Sequence, residues 1–278
     1  MSLSRRAFLK TAGLVAASSL AALAGGYLLL DESRDPVIER VTIPIPGLHP
    51  ALEGFTIVQL TDIHLLPYTR ASLVKKTIAI TNSLKPDLVV LTGDYVWQGK
   101  EAIYELPPLL ASLNARFGVY SVMGNHDYWM DIQALRREFT RNRLPVLDNE
   151  GIPITLGEGT LYLAGMDDGW SGQPDFRKAI EGAPASAPII LLLHEPDLVD
   201  QTSLEPRISI QLSGHTHGGQ VLIHGDNPPF KPYLGKKYVK GLYKVRNTWQ
   251  YTSRGIGVIS VPLRINCPPE ITYLTLVA

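Results

Sequence analysis

The sequence predicts an α/β fold, and three observations carry that expectation. Five short apolar runs of strand length recur along the chain. Each run ends in a cluster of Gly, His, Asp or Asn. Amphipathic stretches with helical spacing separate the earlier runs, the alternation that builds a sheet with crossover helices. In such sheets ligands bind outside the carboxyl ends of the strands, so the clusters are expected to converge on one rim.

In chain order, "VIERVTIPIPGL" at 37–48 reads as a strand and turn. "FTIVQL" at 55–60 is a buried strand running into "TDIH". Residues 71–84 have the apolar spacing of a helix, stopped by Pro86. "DLVVLTGD" at 87–94 is the next strand, and a helix is expected over 100–114, with Pro107 and Pro108 inside it. "FGVYSVMGNHD" at 117–127 reads as a strand with a polar end, followed by a helix over 131–142. "PIILLLHEP" at 188–196 and "ISIQLSGHTH" at 208–217 repeat the scheme of apolar strand, then histidine.

The chain has 278 residues, with 26 basic and 26 acidic side chains. That balance gives no reason to expect a nucleic-acid surface. Cys267 is the single cysteine, so no intrachain disulfide can form. The N-terminus pairs a basic head, "MSLSRRAFLK", with an apolar stretch over 12–30. Arg5 and Arg6, with Ser4 before them and Phe8, Leu9 and Lys10 after, resemble a twin-arginine export signal. The expected partners are the twin-arginine translocase and, if the stretch is not cleaved, the membrane. The expected location is the periplasm or the outer face of the cytoplasmic membrane. Ala22–Ala24 is a small-residue cleavage site, yet the apolar run continues past it, so a released and an anchored protein both stay open. The expected division is 1–30 signal or anchor, 31–50 linker and entry strand, and 51–278 catalytic domain.

The strand-end clusters are Asp62 and His64, Gly93 and Asp94, Gly124 to Asp127, His194, and His215 with His217. They hold five of the seven histidines; His49 and His224 read as ordinary loop residues. In an extended "GHTH" segment His215 and His217 would point to one side. Burying so many ionisable groups without counter-charge is costly, and a metal pair removes that cost. A carboxylate between two cations offsets their repulsion. Mixed nitrogen and oxygen ligands suit Mn, Fe or Zn better than Ca.

The ordered set "DIH", "GD", "GNHD", a lone His after a strand, and "GHTH" resembles the calcineurin-like metallophosphoesterase superfamily across residues 50–278. The twin-arginine head, "GHTHGGQ" and the tail "YTSRGIGVISVPLRINCPPEIT" at 251–272 resemble its exported bacterial branch. The resemblance implies a β-sandwich of two mixed sheets flanked by helices. It implies two divalent transition-metal ions, one held by Asp62, His64 and His217, the other by Asn125, His194 and His215, with Asp94 bridging. It further implies phosphoester hydrolysis by a metal-bridging hydroxide, with His126 as proton donor. Asp127 is then either a carboxylate partner of His126 or an N-cap for 131–142. One departure matters: phosphoprotein phosphatases of this superfamily carry GDxVDRG where this chain has "GDYVWQG" at 93–99. Trp97 and Gln98 replace their aspartate and arginine, which argues against that substrate and removes an orienting carboxylate from His126.

The lead expectation is phosphodiester or pyrophosphate cleavage, with a lipid-linked substrate if the chain is anchored. Phosphomonoester cleavage and a catalytically silent metal-dependent binding protein are the alternatives. Two segments are candidates for holding substrate. Residues 230–246 carry six Lys or Arg and no acid, with Lys236 and Lys237 central. Residues 164–176 carry Asp167, Asp168 and Trp170. Each is either part of the site or ordinary surface and turn chemistry.

Overall fold

The computed structural model of the chain describes residues 33, 35–223 and 228–278; the stretch expected to be a signal or anchor, and His224, lie outside the described residues. The strands are β1 (Val37–Pro44), β2 (Thr56–Leu60), β3 (Leu88–Thr92), β4 (Val119–Val122), β5 (Glu150–Leu156), β6 (Gly159–Gly165), β7 (Ile189–Leu192), β8 (Ile208–Ser213), β9 (Gly241–Val245), β10 (Thr248–Thr252) and β11 (Glu270–Val277). The helices are α1 (Ala71–Ser83), α2 (Ala102–Leu110), α3 (Asn125–Met130), α4 (Ile132–Arg141), α5 (Phe176–Ile180) and α6 (Val199–Thr202).

The strands form two sheets, ordered β1-β11-β2-β3-β4 and β5-β6-β7-β8-β10-β9. Both are mixed. In the first, β2, β3 and β4 run parallel, and β11 pairs antiparallel with β2 and parallel with β1. In the second, β6, β7, β8 and β10 run parallel, with antiparallel β5 and β9 on the edges. The entry strand β1 is part of the first sheet, in register with β11 from Val37↔Glu270 to Pro44↔Val277.

Burial explains why the strands read as unbroken apolar runs. Ile57 and Val90 face the second sheet, where they meet Leu163, Ile190 and Leu212. Their neighbours Val58 and Val89 face the other way, against Val74 and Ile78 of α1 and Leu135 and Phe139 of α4. On the far side of the second sheet, Tyr162 and Leu191 pack on Ala179 and Ile180 of α5. The architecture is a two-sheet sandwich with helices on both outer faces. Strand–helix alternation predicted one sheet with crossovers. The five runs instead divide between two sheets, because a run apolar on both faces does not say which sheet it joins.

Local differences have local causes. The helix expected over 100–114 is α2 alone, because Pro107 and Pro108 remove backbone donors from its second half. The strand expected over 117–127 ends at Val122, and Asn125 already opens α3. The cap of α4 is Asp131, whose carboxylate accepts from the Ala134 N–H at 2.9 Å. Asp127 does not cap that helix. Among the described residues no helix is long and apolar enough to cross a membrane.

Phe139 is fully buried between α4 and the first sheet, its ring 4.6 Å from that of Tyr95. Phe139→Ala is expected to cost about 3–5 kcal/mol, read as a lowered denaturant midpoint at unchanged slope.

Candidate metal centre

The loops that follow β2 and β3 stay hydrogen-bonded beyond the ends of the strands. The Asp62 N–H donates to Gly93 O at 3.0 Å, His64 N–H to Asp94 O at 3.1 Å, and Leu65 N–H to Tyr95 O at 2.9 Å. Along this extension Asp62, His64 and Asp94 take φ of 49°, 46° and 58°. His215 and His217 have φ of 73° and 53°. A non-glycine residue in the left-handed region costs roughly 1–2 kcal/mol, and such strain gathers where function over-determines the backbone. The extended reading of "GHTH" therefore fails. His215 and His217 sit in a tight turn and aim at different partners.

Two glycines make room for this packing. A Cβ on Gly124 would collide with Asp94 and come 2.9 Å from His194. A Cβ on Gly214 would collide with Asp62 and Thr61.

The side chains form two groups joined by Asp94. Asp62, His64 and His217 place ligand atoms within 4.8 Å of one another, as do Asp94, His194 and His215. His217 Nε2 lies 3.4 Å from Asp62 Oδ1, and His64 Nε2 lies 3.4 Å from Asp94 Oδ2. The same Oδ2 lies 3.1 Å from His194 Nε2. Asn125 is the first residue of α3, flanked by Gly124 and by His126, whose N–H donates to Asp94 Oδ1 at 2.9 Å. His126 also comes within reach of His64 and Asp94, but it is only partly buried and faces an open cavity.

Backbone carbonyls set the ring orientations. His194 Nδ1–H donates to Thr92 O at 2.7 Å, His64 Nδ1–H to Val96 O at 3.2 Å, and His215 Nε2–H to Tyr233 O at 2.7 Å. Each bond leaves the other ring nitrogen turned inward as an acceptor. His217 is held less directly. Arg264 Nη2 stands 3.4 Å from its Nδ1, and the same guanidinium gathers the carbonyls of Arg254, Gly257 and Cys267.

The electrostatics favour three neutral imidazoles and one, His194, held charged beside Asp94. Burial drives His64 and His215 down to about 3, and His217 also falls well below its ordinary value. Burial pushes Asp62 up to about 7, and Asp94 adds to the rise. Burial alone would lower His194, but Asp94 beside it reverses the effect and holds it well above its usual value. Burial would likewise raise Asp94, but the surrounding imidazoles hold it well below the carboxylate range.

The residues fit a metal pair on an observation of their own. His64 Nε2, His194 Nε2, His217 Nε2 and both polar atoms of Asn125 are buried without a hydrogen-bond partner. Orphans of this kind are rare, and here they cluster around two carboxylates. The nitrogen and oxygen donors are arranged for a dinuclear centre, with a donor set suited to transition metals.

Asp127 has neither of the roles expected for it. Its carboxylate accepts the N–H of Asp94 at 3.0 Å, of Tyr95 at 2.8 Å and of Gly124 at 2.9 Å. It ties the loop after β3 to the start of α3, below the site rather than beside the His126 ring. His126 contacts aromatic rings: Trp97 at 4.6 Å, Trp129 at 4.5 Å and His64 at 4.9 Å between centroids.

The substrate candidates separate. Trp170 and Lys236 line the cavity beside His126 and His215. Lys237 does not: its ammonium pairs with Asp200, and its backbone N–H donates to Asp197 at 3.0 Å. Much of the basic segment is thus bound to acidic groups of the neighbouring turn and α6. In the 164–176 loop, Asp168 accepts from Trp170 and Ser171, and Glu195 accepts from Gly169 at 2.9 Å. Turn chemistry and site wall are one structure there. Tyr233 belongs to the 230–246 candidate segment and does line the cavity, whereas Trp129 is not among the residues the sequence singles out. The only signal for Trp129 was its place just after "GNHD".

Asp127→Ala strands three buried N–H groups and is expected to cost at least about 3 kcal/mol while lowering metal content. Asp127→Asn should lie between, in both thermal midpoint and metal analysis. A loss of turnover at full stability and full metal content would contradict the clamp.

The match to known proteins follows these residues. The family model described as "Calcineurin-like phosphoesterase" matches residues 55–219. The uncharacterized metallophosphoesterase YkuE of Bacillus subtilis is 37% identical over 284 residues, covering 99% of this chain and 98% of that protein. Phosphodiesterase YaeI of Escherichia coli is 31% identical over 280 residues, covering 99% of this chain and 100% of that protein. Among solved structures, the sulfate thiohydrolase SoxB of Thermus thermophilus shares the fold at TM-score 0.50 and 14% identity, over 76% of this chain and 53% of that one. With the paired His/Asp cluster and the two mixed sheets in place, the chain belongs to the calcineurin-like metallophosphoesterase family and is a metal-dependent phosphoester hydrolase.

Proposed function

We propose that the chain hydrolyses phosphodiesters or pyrophosphates, with His126 as the proton donor to the leaving oxygen. The observation that carries this reading is positional. His126 is the one histidine of the cluster that is only partly buried, and it stands where the metal centre opens into the cavity. That two relatives spanning the whole chain are a metallophosphoesterase and a protein named phosphodiesterase supports it.

In this reading Asp62, His64 and His217 would hold one cation, Asn125, His194 and His215 the other, and Asp94 would serve both. Bound there, two divalent cations supply Lewis acidity at the phosphoryl group and a nucleophile at neutral pH. The chain's own residues do the rest. The carbonyls of Val96, Thr92 and Tyr233 keep the ring nitrogens turned inward. The Asp94 carboxylate fixes the His126 backbone through its N–H, so the ring is carried on a rigid helix start. Trp97 and Trp129 flank that ring, limit its rotation and exclude water from one side. His126 then delivers its proton to the departing alkoxide or phosphate. Neither Trp97 nor Asp127 supplies a carboxylate to orient the imidazole, so packing performs that task.

Metal analysis with parallel assays on bis(p-nitrophenyl) phosphate and p-nitrophenyl phosphate tests the reading. Near two metals per chain with faster diester cleavage is the expected result. Faster monoester cleavage would replace it with a phosphomonoesterase. Asp94→Asn should lower the content of both metals, since both share that carboxylate. His126→Ala should keep the metals and lose about 10²–10⁴-fold in turnover on diesters with poor leaving groups. Equal activity on such substrates would remove His126 from the mechanism.

The same proposal includes export through the twin-arginine translocase to the periplasm or the outer face of the cytoplasmic membrane, supported by the "SRRAFLK" head and the uncharged stretch 12–30. Replacing Arg5 and Arg6 together by Lys is expected to leave the chain in the cytoplasmic fraction. Unchanged fractionation would overturn this route.

A further inference from the structure

The cavity beside the metal centre has a volume of about 660 Å³, the size of a pocket for a medium-sized organic molecule. One wall is aromatic: Trp97, Trp129, Trp170 and Tyr233. These rings are fixed edge-to-face, Trp129 to Trp170 at 5.0 Å and Trp170 to Tyr233 at 5.5 Å. Another part of the lining is aliphatic, Val221, Ile259 and Val261, together with Phe230.

Two polar side chains of the lining, Gln220 and Thr216, are committed elsewhere. The Gln220 amide donates to Ile259 O at 3.0 Å and Val261 O at 2.9 Å, and its oxygen accepts the Ile259 N–H at 2.9 Å. The Thr216 hydroxyl donates to Val239 O at 2.5 Å. A hydrocarbon chain brings no polar group that would need a partner among these committed and apolar side chains. The lysines on the wall, Lys231 and Lys236, are suited to an anionic group at the entrance.

The lip is apolar and open to solvent. Phe230 is 70% exposed and Val261 45%. Exposed apolar groups gathered at the mouth of a pocket mark a contact with an apolar ligand or surface.

We propose that this pocket is the hydrocarbon subsite of the enzyme: the substrate is a phosphodiester of an amphiphile, its alkyl or acyl chain lying against the tryptophan wall and the Val221–Ile259–Val261 side chains. This rests on the phosphodiesterase reading above, and its test is independent of turnover. Metal-loaded full-length protein is titrated with ethyl, butyl and octyl phosphate below their critical micelle concentrations, followed by calorimetry or tryptophan fluorescence. Each buried methylene contributes up to about fourfold in affinity, so Kd should fall at least tenfold from ethyl to octyl phosphate. Val261→Glu should flatten that dependence, and so should Phe230→Glu, an exposed position that tolerates charge if the first variant folds poorly. Thymidine 5′-monophosphate should bind more weakly than octyl phosphate. A Kd independent of chain length, or tighter binding of the nucleotide, overturns the proposal. Chain-length-dependent binding with no hydrolysis of bis(p-nitrophenyl) phosphate would instead overturn the hydrolase reading and leave the subsite standing.

Discussion

Two carboxylates and four imidazoles share one buried space, and the rest of the site is arranged around that fact. Asp62, His64 and His194 are fully buried, and Asp94 nearly so. Solvent cannot screen the carboxylates there, and burial, with Asp94 nearby, drives Asp62 up to about 7. Protons resolve the conflict only in part: His194 is held charged beside Asp94, while His64, His215 and His217 are pushed toward the neutral form. Positive charge that needs no proton resolves it, and neutral imidazoles are the form that binds metal. Structure and ligand chemistry therefore agree before any relative is considered.

Holding that cluster shapes the backbone. Five of its members take left-handed φ values, a strain that the surrounding hydrogen bonds must offset. The loop ladder between residues 62–65 and 93–95 does part of this. Asp127 does another part, by collecting N–H groups that the turn leaves without partners. Metal binding and local folding are coupled as a result. Counter-charge from bound cations would stabilise this cluster of desolvated groups in the geometry that folding imposes.

The strands and the chemistry of their ends were legible because both are short-range patterns. Apolar runs followed by "DIH", "GD", "GNHD" and "GHTH" place ligands at strand termini whichever sheet the strands join. The division into two sheets was not legible from the runs, since Ile57 and Val58 are equally apolar and face opposite ways. The role of Asp127 was hidden for a different reason: its partners, the N–H groups of Asp94 and Tyr95, lie more than 30 residues away and carry no side-chain signature. Lys237 misled because charge runs say nothing about pairing, and Asp200 takes its ammonium. Trp129 and Tyr233 became site residues only when α3 and the segment after "GHTH" were brought to the same cavity.

The two halves of the site have separate origins along the chain. Every proposed metal ligand and His126 lie within residues 55–219, the span matched by the family model. The aliphatic wall and lip, by contrast, come from Val221, Phe230 and the Ile259–Val261 segment, all beyond it. A connection nevertheless crosses this boundary. Tyr233 gives its ring to the pocket wall and its carbonyl to His215, and Arg264 joins the "GHTH" turn to the tail. The segment that shapes the substrate pocket thus also orients a metal-facing histidine. A change of specificity made there would act on the metal centre as well, so this half of the chain is not free to vary as a detachable cover would be.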